Sequence, residues 1–178
     1  MSLLTALAIS IGGLGGIATW FYLGPLAGAL QIWATFIAWG CFYHSGGKES
    51  ALQSTIVCNA AGAIIAGITL IVVSRTGVAG TIGLPLWAGI CVGVGVACMV
   101  LLANVPMFSG IPAQVYGFAC VAGYTLLAAK LGDLTAPSLA NPVVVIILSM
   151  IVGAVLGYVS EKIAGALTGA AKPAAVKA

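Results

Sequence analysis

From Leu3 to Tyr43 the chain carries no Asp, Glu, Lys or Arg. A stretch that long without charge does not suit a water-facing surface, since about a quarter of residues in soluble domains are charged. A bilayer-crossing helix takes about 20 apolar residues, so this one run holds two. Only Gly24–Pro25 interrupts it, and proline does not continue a helix. Spans at 3–23 and 25–43, joined by a tight turn, are therefore expected. The first lacks a basic leader and a cleavage site, and reads as a retained span. Elsewhere the pattern repeats: 62% of the 178 residues are hydrophobic, 5% are charged, and mean hydropathy is +1.22. The lipid bilayer is the first partner the sequence implies.

Polar punctuation sets the remaining spans. "HSGGKES" (44–50) precedes a span at 51–73, and "SRTGVAGTIG" (74–83) precedes one at 84–104. A break follows at "NVPMFSGIP", then a span at 112–131, the loop "GDLTAPSLAN" (132–141), and a last span at 142–165 opened by Pro142, a residue suited to a first helical turn. The expected fold is all-α: a polytopic membrane protein whose single domain, 1–165, has six transmembrane helices, followed by a short cytoplasmic tail at 166–178. An even span count puts both termini on one side. The positive-inside rule favours the cytoplasm, with Lys48, Lys162, Lys172 and Lys177 inside and Arg75 and Lys130 outside. No basic patch interleaved with aromatics points to nucleic acid.

The halves echo each other. "GGLGG" precedes Pro25 and "GVGV" (93–96) precedes Pro106; "PLAGALQIW" and "PAQVYGF" both start at proline and carry glutamine and aromatics. Val73–Ser74 and Val159–Ser160 close the third and sixth spans. A 3+3 inverted repeat is one reading, and such repeats build sites at their interface near the midplane. Shared Gly and Ala composition is the other.

Function has few residues to rest on. Thr55, Asn59, Gly62, Ala66 and Thr69 recur at steps of four and three, forming one small or polar stripe on the third span. An amide inside a membrane needs a partner or water, so Asn59 either bonds a neighbouring helix or lines a passage. Gln31 and Thr35 stand four apart on the second span with Trp33 beside them and deeper than Trp20; Gln114 and Tyr116 open the fifth. Asn104, Pro106, Ser109 and Pro112 crowd the break at 103–118, which is either a plain turn, with Ser109 helping to cap, or a re-entrant break offering backbone dipoles to a solute. Gly13, Gly16, Gly62 and Gly93 suit close helix packing in lipid.

No carboxylate or basic residue falls at mid-membrane, where proton-coupled transporters need one. Cys41, Cys58, Cys91, Cys98 and Cys120 show no paired spacing and read as small hydrophobes. The single histidine, His44, lies in a loop. Neither a catalytic set, a metal site nor a cofactor is expected, and the chain does not read as an enzyme.

The stretches "LQIWATFIAWGCFYHSGGKESAL" and "GIPAQVYGFACVAGYTLLA" resemble the bacterial inner-membrane family of domain of unknown function 1097. They share a second span ending in Phe/Tyr–x–x–Gly–Gly, here Tyr43 to Gly47, and a proline-opened fifth span, here Pro112–Ala113 before Gly117–Phe118. The resemblance implies a small multispanning bacterial protein and assigns no substrate or residue.

The residues themselves favour a channel or facilitator for a small neutral solute, of the urea, short-amide or ammonia class. Such a conduit needs a fitting diameter, apolar walls and a few hydrogen-bonding groups, here Gln31, Asn59 and Gln114. By analogy with short six-span urea channels, a homo-oligomer is expected. The alternatives are an accessory subunit binding a partner through glycine-rich faces, or a secondary transporter. A conduit should converge the three amides on one cavity, whereas an accessory subunit should leave a small-residue stripe facing lipid.

Overall fold

Each helix begins and ends where its residues demand. The computed structural model describes residues 1–169, built from α1 (Leu3–Leu23), α2 (Ile32–His44), α3 (Glu49–Arg75), the one-turn α4 (Ala79–Ile82), α5 (Leu84–Leu102), α6 (Ile111–Leu127) and α7 (Pro142–Thr168). Short 3-10 turns cover Pro106–Phe108 and Leu131–Thr135. The Ser2 hydroxyl accepts from the Thr5 N–H at 3.2 Å and caps α1. Asn141 caps α7 by accepting from the Val143 N–H at 2.9 Å, while its amide donates to the carbonyls of Leu134 and Ala136. Pro142 fills the first turn, and Gly169 ends the helix at φ +75°. The tail expected at 166–178 is helical to Thr168; residues 170–178, including Lys172 and Lys177, lie outside the described part.

Four helices, α1, α3, α5 and α7, are long and apolar enough to cross a membrane, and α6 is a shorter apolar helix. The chain is thus a multi-pass membrane protein. The second expected span differs. Residues 24–31 form successive turns in place of one tight turn, and α2 starts only at Ile32. Pro25 and Gly28 at φ +78° both oppose helix there. The 13 residues left in α2 reach about 20 Å, short of the roughly 30 Å hydrocarbon core.

The packing pairs each short helix with a long one from the other half. α6 lies along α3, and α2 lies along α7. α1 packs on α7, α5 packs on α3, and α3 and α7 meet in the middle. The short helices also bury the same positions from their starts: Ala34, Thr35, Ala38, Cys41 and Phe42 in α2, and Ala113, Gln114, Gly117, Cys120 and Val121 in α6. The outer helices are far barer; α5 buries only Cys91 and Met99.

Candidate functional site

Backbone contact draws the polar residues together. A Cβ added at Gly62 would fall 1.8 Å from the Gln114 carbonyl oxygen, and one at Gly117 would fall 1.9 Å from that of Asn59. Only glycine permits that approach, so α3 and α6 cross with Asn59 and Gln114 on opposite sides of one contact. The stripe from Thr55 through Asn59, Gly62 and Ala66 to Thr69 is buried throughout. The lipid-facing side of α3 carries Ile64 and Ile68.

Hydrogen bonds orient the two amides. Asn59 Nδ2 donates to the Thr55 carbonyl at 2.7 Å and to Cys41 Sγ at 3.6 Å. Gln114 Nε2 donates to the Phe108 carbonyl at 2.6 Å. Asn59 Oδ1, Gln114 Oε1 and the Thr55 hydroxyl are buried without a partner. All three side chains are at most 1% exposed. An unpaired buried polar atom costs roughly 1–3 kcal/mol, and native interiors hold few of them. Cys41, Cys58 and Ala113 complete this junction of α2, α3 and α6, with half-buried Tyr116 packed against them.

Just outside lies a polar recess of about 350 Å³, lined by Ser50, Gln53, Ser54, Pro106, Met107 and Ser109. Its inner wall is thin. Ser54 Oγ lies 3.8 Å from Cys58 Sγ, and that thiol donates to the Met107 carbonyl at 3.7 Å. A Cβ at Gly110 would meet both Ser54 Oγ and Cys58 Sγ at 3.0 Å. Ser54 and Cys58, the sequence neighbours of Thr55 and Asn59, thus meet residues 107–110 on the inner side of the recess.

The other expected site residues fall elsewhere. Gln31, Trp33 and Tyr124 line a second recess of about 420 Å³ between α2 and α6. Gln31 bonds there with Tyr124 Oη and Trp33 Nε1, and its backbone N–H donates to Ser149 Oγ at 2.9 Å. Gln31 thus precedes α2, and Trp33, expected deep in a span, sits in the first turn at 39% exposed. Thr35 Oγ1 donates to the Ser149 carbonyl at 2.9 Å and accepts from the Tyr22 hydroxyl at 2.6 Å, a structural network. Asn104 is exposed and bonds back to the Leu101 carbonyl at 2.8 Å.

The break at 103–118 is more than one turn. α5 ends at Leu102, which is the residue whose carbonyl the missing Pro106 N–H would have bonded. Pro106 instead opens the 3-10 turn, and Pro112 sits in the first turn of α6. Ser109 lends only its carbonyl, to the Ile111 N–H at 2.9 Å, and Gly110 holds the cap position without a side-chain bond. The expected packing glycines divide. Gly62 makes the tightest contact, whereas Gly13, Gly16 and Gly93 have nothing within 4 Å of an added Cβ. Their neighbours pack instead: Gly15 on Phe36, and Gly95 on Thr69.

Several participants carried no signal in the sequence. Ser149 joins α7 to the start of α2; Ser160 accepts from Trp39 Nε1 at 3.0 Å and from the Tyr43 hydroxyl at 2.8 Å. Glu49 and Lys162 pair at 2.7 Å, with the ammonium 5.0 Å from the Tyr158 ring centroid, tying the start of α3 to the end of α7. Polar residues on apolar helices reveal a partner only once helix rotation is known. Among the described residues, no three His, Cys, Asp or Glu side chains gather as a metal site.

The family model "Protein of unknown function (DUF1097)" matches residues 8–165. No curated protein and no solved structure matches the chain. Matched over most of its length, the chain belongs to this family.

Proposed function

We propose that this member of the DUF1097 family is a channel or facilitator for a small neutral polar solute, of the urea, short-amide or ammonia class. The observation that carries the reading is the set of unpartnered oxygens on Thr55, Asn59 and Gln114, buried at one helix junction beside a polar recess. A purely structural core would pair or replace such groups, whereas a conduit keeps them for its passenger. The wall at 107–110 makes this the closed form, so passage requires movement there.

The exchanged packing supports a 3+3 inverted repeat of α1–α3 and α5–α7. Gly62 on α3 stands against the backbone of Gln114, and Gly153 on α7 stands against that of Thr35. Gln114 and Thr35 are each the fourth residue of their short helix. In that register Thr35, not Gln31, is the counterpart of Gln114. Two related halves suit rocking about a central site. Six membrane-embedded segments with both termini cytoplasmic, in a bacterial inner membrane, complete this reading.

The test is stopped-flow swelling of proteoliposomes with urea, formamide and glycerol. Faster swelling than protein-free vesicles for at least one solute is expected; none for any solute refutes the conduit. A second reading, an accessory or self-associating subunit, has its own observation. Gln31 lines a recess that neither Asn59 nor Gln114 lines, and Gly12, Gly13, Gly16, Gly89 and Gly93 face open space. Small residues on lipid-facing helices suit helix association, within a homo-oligomer or with a partner. Crosslinking in native membranes distinguishes the two.

A further inference from the structure

We infer that the oxygens of Thr55, Asn59 and Gln114 form a binding site for the N–H groups of a small amide, entered from the recess beneath residues 106–109. The inference rests on the conduit reading and gives it a location, a polarity and an entrance. Polarity follows from what is already used. Each amide nitrogen already holds a backbone carbonyl, Asn59 that of Thr55 and Gln114 that of Phe108, and the wholly unpartnered atoms are two carboxamide oxygens and the Thr55 hydroxyl. Such a set offers two carboxamide oxygens that can only accept, which suits N–H groups, and one hydroxyl that can accept or donate. With no carboxylate at the junction, a neutral donor fits better than a metal or an organic cation.

The entrance follows from the wall. The bond from Gln114 Nε2 to the Phe108 carbonyl is the polar clamp on the 3-10 turn, assisted by the weaker thiol contact from Cys58 to Met107. Met107 is 53% exposed and Val105 46%, so besides this clamp the segment is held by one half-buried apolar side chain, Phe108, against α3. A passing amide has a carbonyl of its own and can replace Phe108 as acceptor for Gln114 Nε2, while its N–H groups take the unpaired oxygens. Opening thus exchanges one hydrogen bond for another and also satisfies two of the orphaned oxygens.

Cys58 is a native reporter, wholly buried, next to Asn59 in sequence and at the inner face of the recess. Iodoacetamide is both a short primary amide and an alkylating agent. The Cys58 thiolate attacks its methylene carbon, the carbon–iodine bond breaks, iodide leaves, and the thiol proton passes to buffer. Wild-type protein in proteoliposomes is treated with iodoacetamide or iodoacetate, and peptide mass spectrometry follows Cys58 against Cys98, which is exposed on α5. Expected are alkylation of Cys58 by iodoacetamide but not by iodoacetate, slowing by excess acetamide at Cys58 only, and up to about tenfold slower Cys58 labelling in Thr55→Val, as for loss of one buried hydrogen bond. Cys58 left unmodified while Cys98 reacts to completion overturns the inference, as does labelling indifferent to acetamide and to Thr55→Val. Flux measured in the same vesicles separates the two claims. Flux without competition at Cys58 removes this site and leaves the conduit; competition without flux leaves a binding site and removes the conduit.

Discussion

Replacing Gly62 by alanine puts one methyl group into the closest contact in the protein. The new Cβ would sit 1.8 Å from the Gln114 carbonyl oxygen, 2.6 Å from its carbon and 2.9 Å from its Cα. Backbone atoms cannot rotate aside as a side chain can. To restore ordinary contact α6 must recede from α3 by about 1.6 Å, and the reciprocal contact of Gly117 with Asn59 opens too. Overpacking of this kind costs typically 1–3 kcal/mol, occasionally more. Against it stands the gain from replacing a mid-helix glycine, about 1 kcal/mol. A net loss of up to about 2 kcal/mol is expected, with Gly153→Ala behaving alike because its Cβ would lie 2.0 Å from the Thr35 carbonyl oxygen. Gly13→Ala meets nothing within 4 Å and should be neutral or stabilising by up to about 1 kcal/mol. Unfolding of the purified protein in mixed micelles, titrated with sodium dodecyl sulfate, reads all three. If Gly62→Ala is as stable as wild type, or Gly13→Ala loses as much as Gly62→Ala, the account of the α3–α6 crossing is wrong.

Two further outcomes are expected in the same assay. Thr35→Val keeps the shape but strands the Tyr22 hydroxyl and removes the side-chain bond to the Ser149 carbonyl; it should cost about 2 kcal/mol, and a loss below a few tenths would contradict the buried network. Trp39→Phe removes the donor at 3.0 Å from Ser160 Oγ and leaves the bond from Tyr43 in place. A smaller loss, about 1 kcal/mol, is expected, and it should shrink further when Ser160→Ala is already present; full additivity in that double-mutant cycle would show that the two side chains do not interact.

The sequence spoke most clearly through long, charge-free runs and their breakers. The limits of α1, α3 and α7 lie within a few residues of those read from Gly24–Pro25, "HSGGKES" and Pro142. The start of α2 was hidden, because Leu26, Ala27, Ala29 and Leu30 have a helix-like composition and only the turns made by Pro25 and Gly28 stop them. The stripe from Thr55 to Thr69 was legible since its polar members stand out against isoleucine. On helices without a polar side, rotation leaves no mark. Nothing in the spelling distinguishes Gly15 from Gly16, or Gly93 from Gly95, yet in each pair one packs and the other faces open space. The pairing of Gln114 with Asn59 was a question the spacing could pose and only the helix crossing could answer. Phe108 was silent for another reason: it takes part through its carbonyl, which every residue has.

The exchange of partners between halves also sets a timetable for making the protein. α2 finds its main support on α7, which leaves the ribosome long after it, and its buried Thr35 waits for the Ser149 carbonyl, 114 residues downstream. Chains emerge N-terminus first, and contacts so distant in sequence form late. Until α7 arrives, a 13-residue helix too short to span comfortably must sit at the membrane without the helix it packs against. A nascent chain halted before Pro142 would therefore hold α1 and α2 without their partner and be a ready target for membrane proteases, whereas α3 and α6 could already have met. Helix α7 acts as a clasp: its arrival marks the earliest moment at which α1 and α2 can be finished.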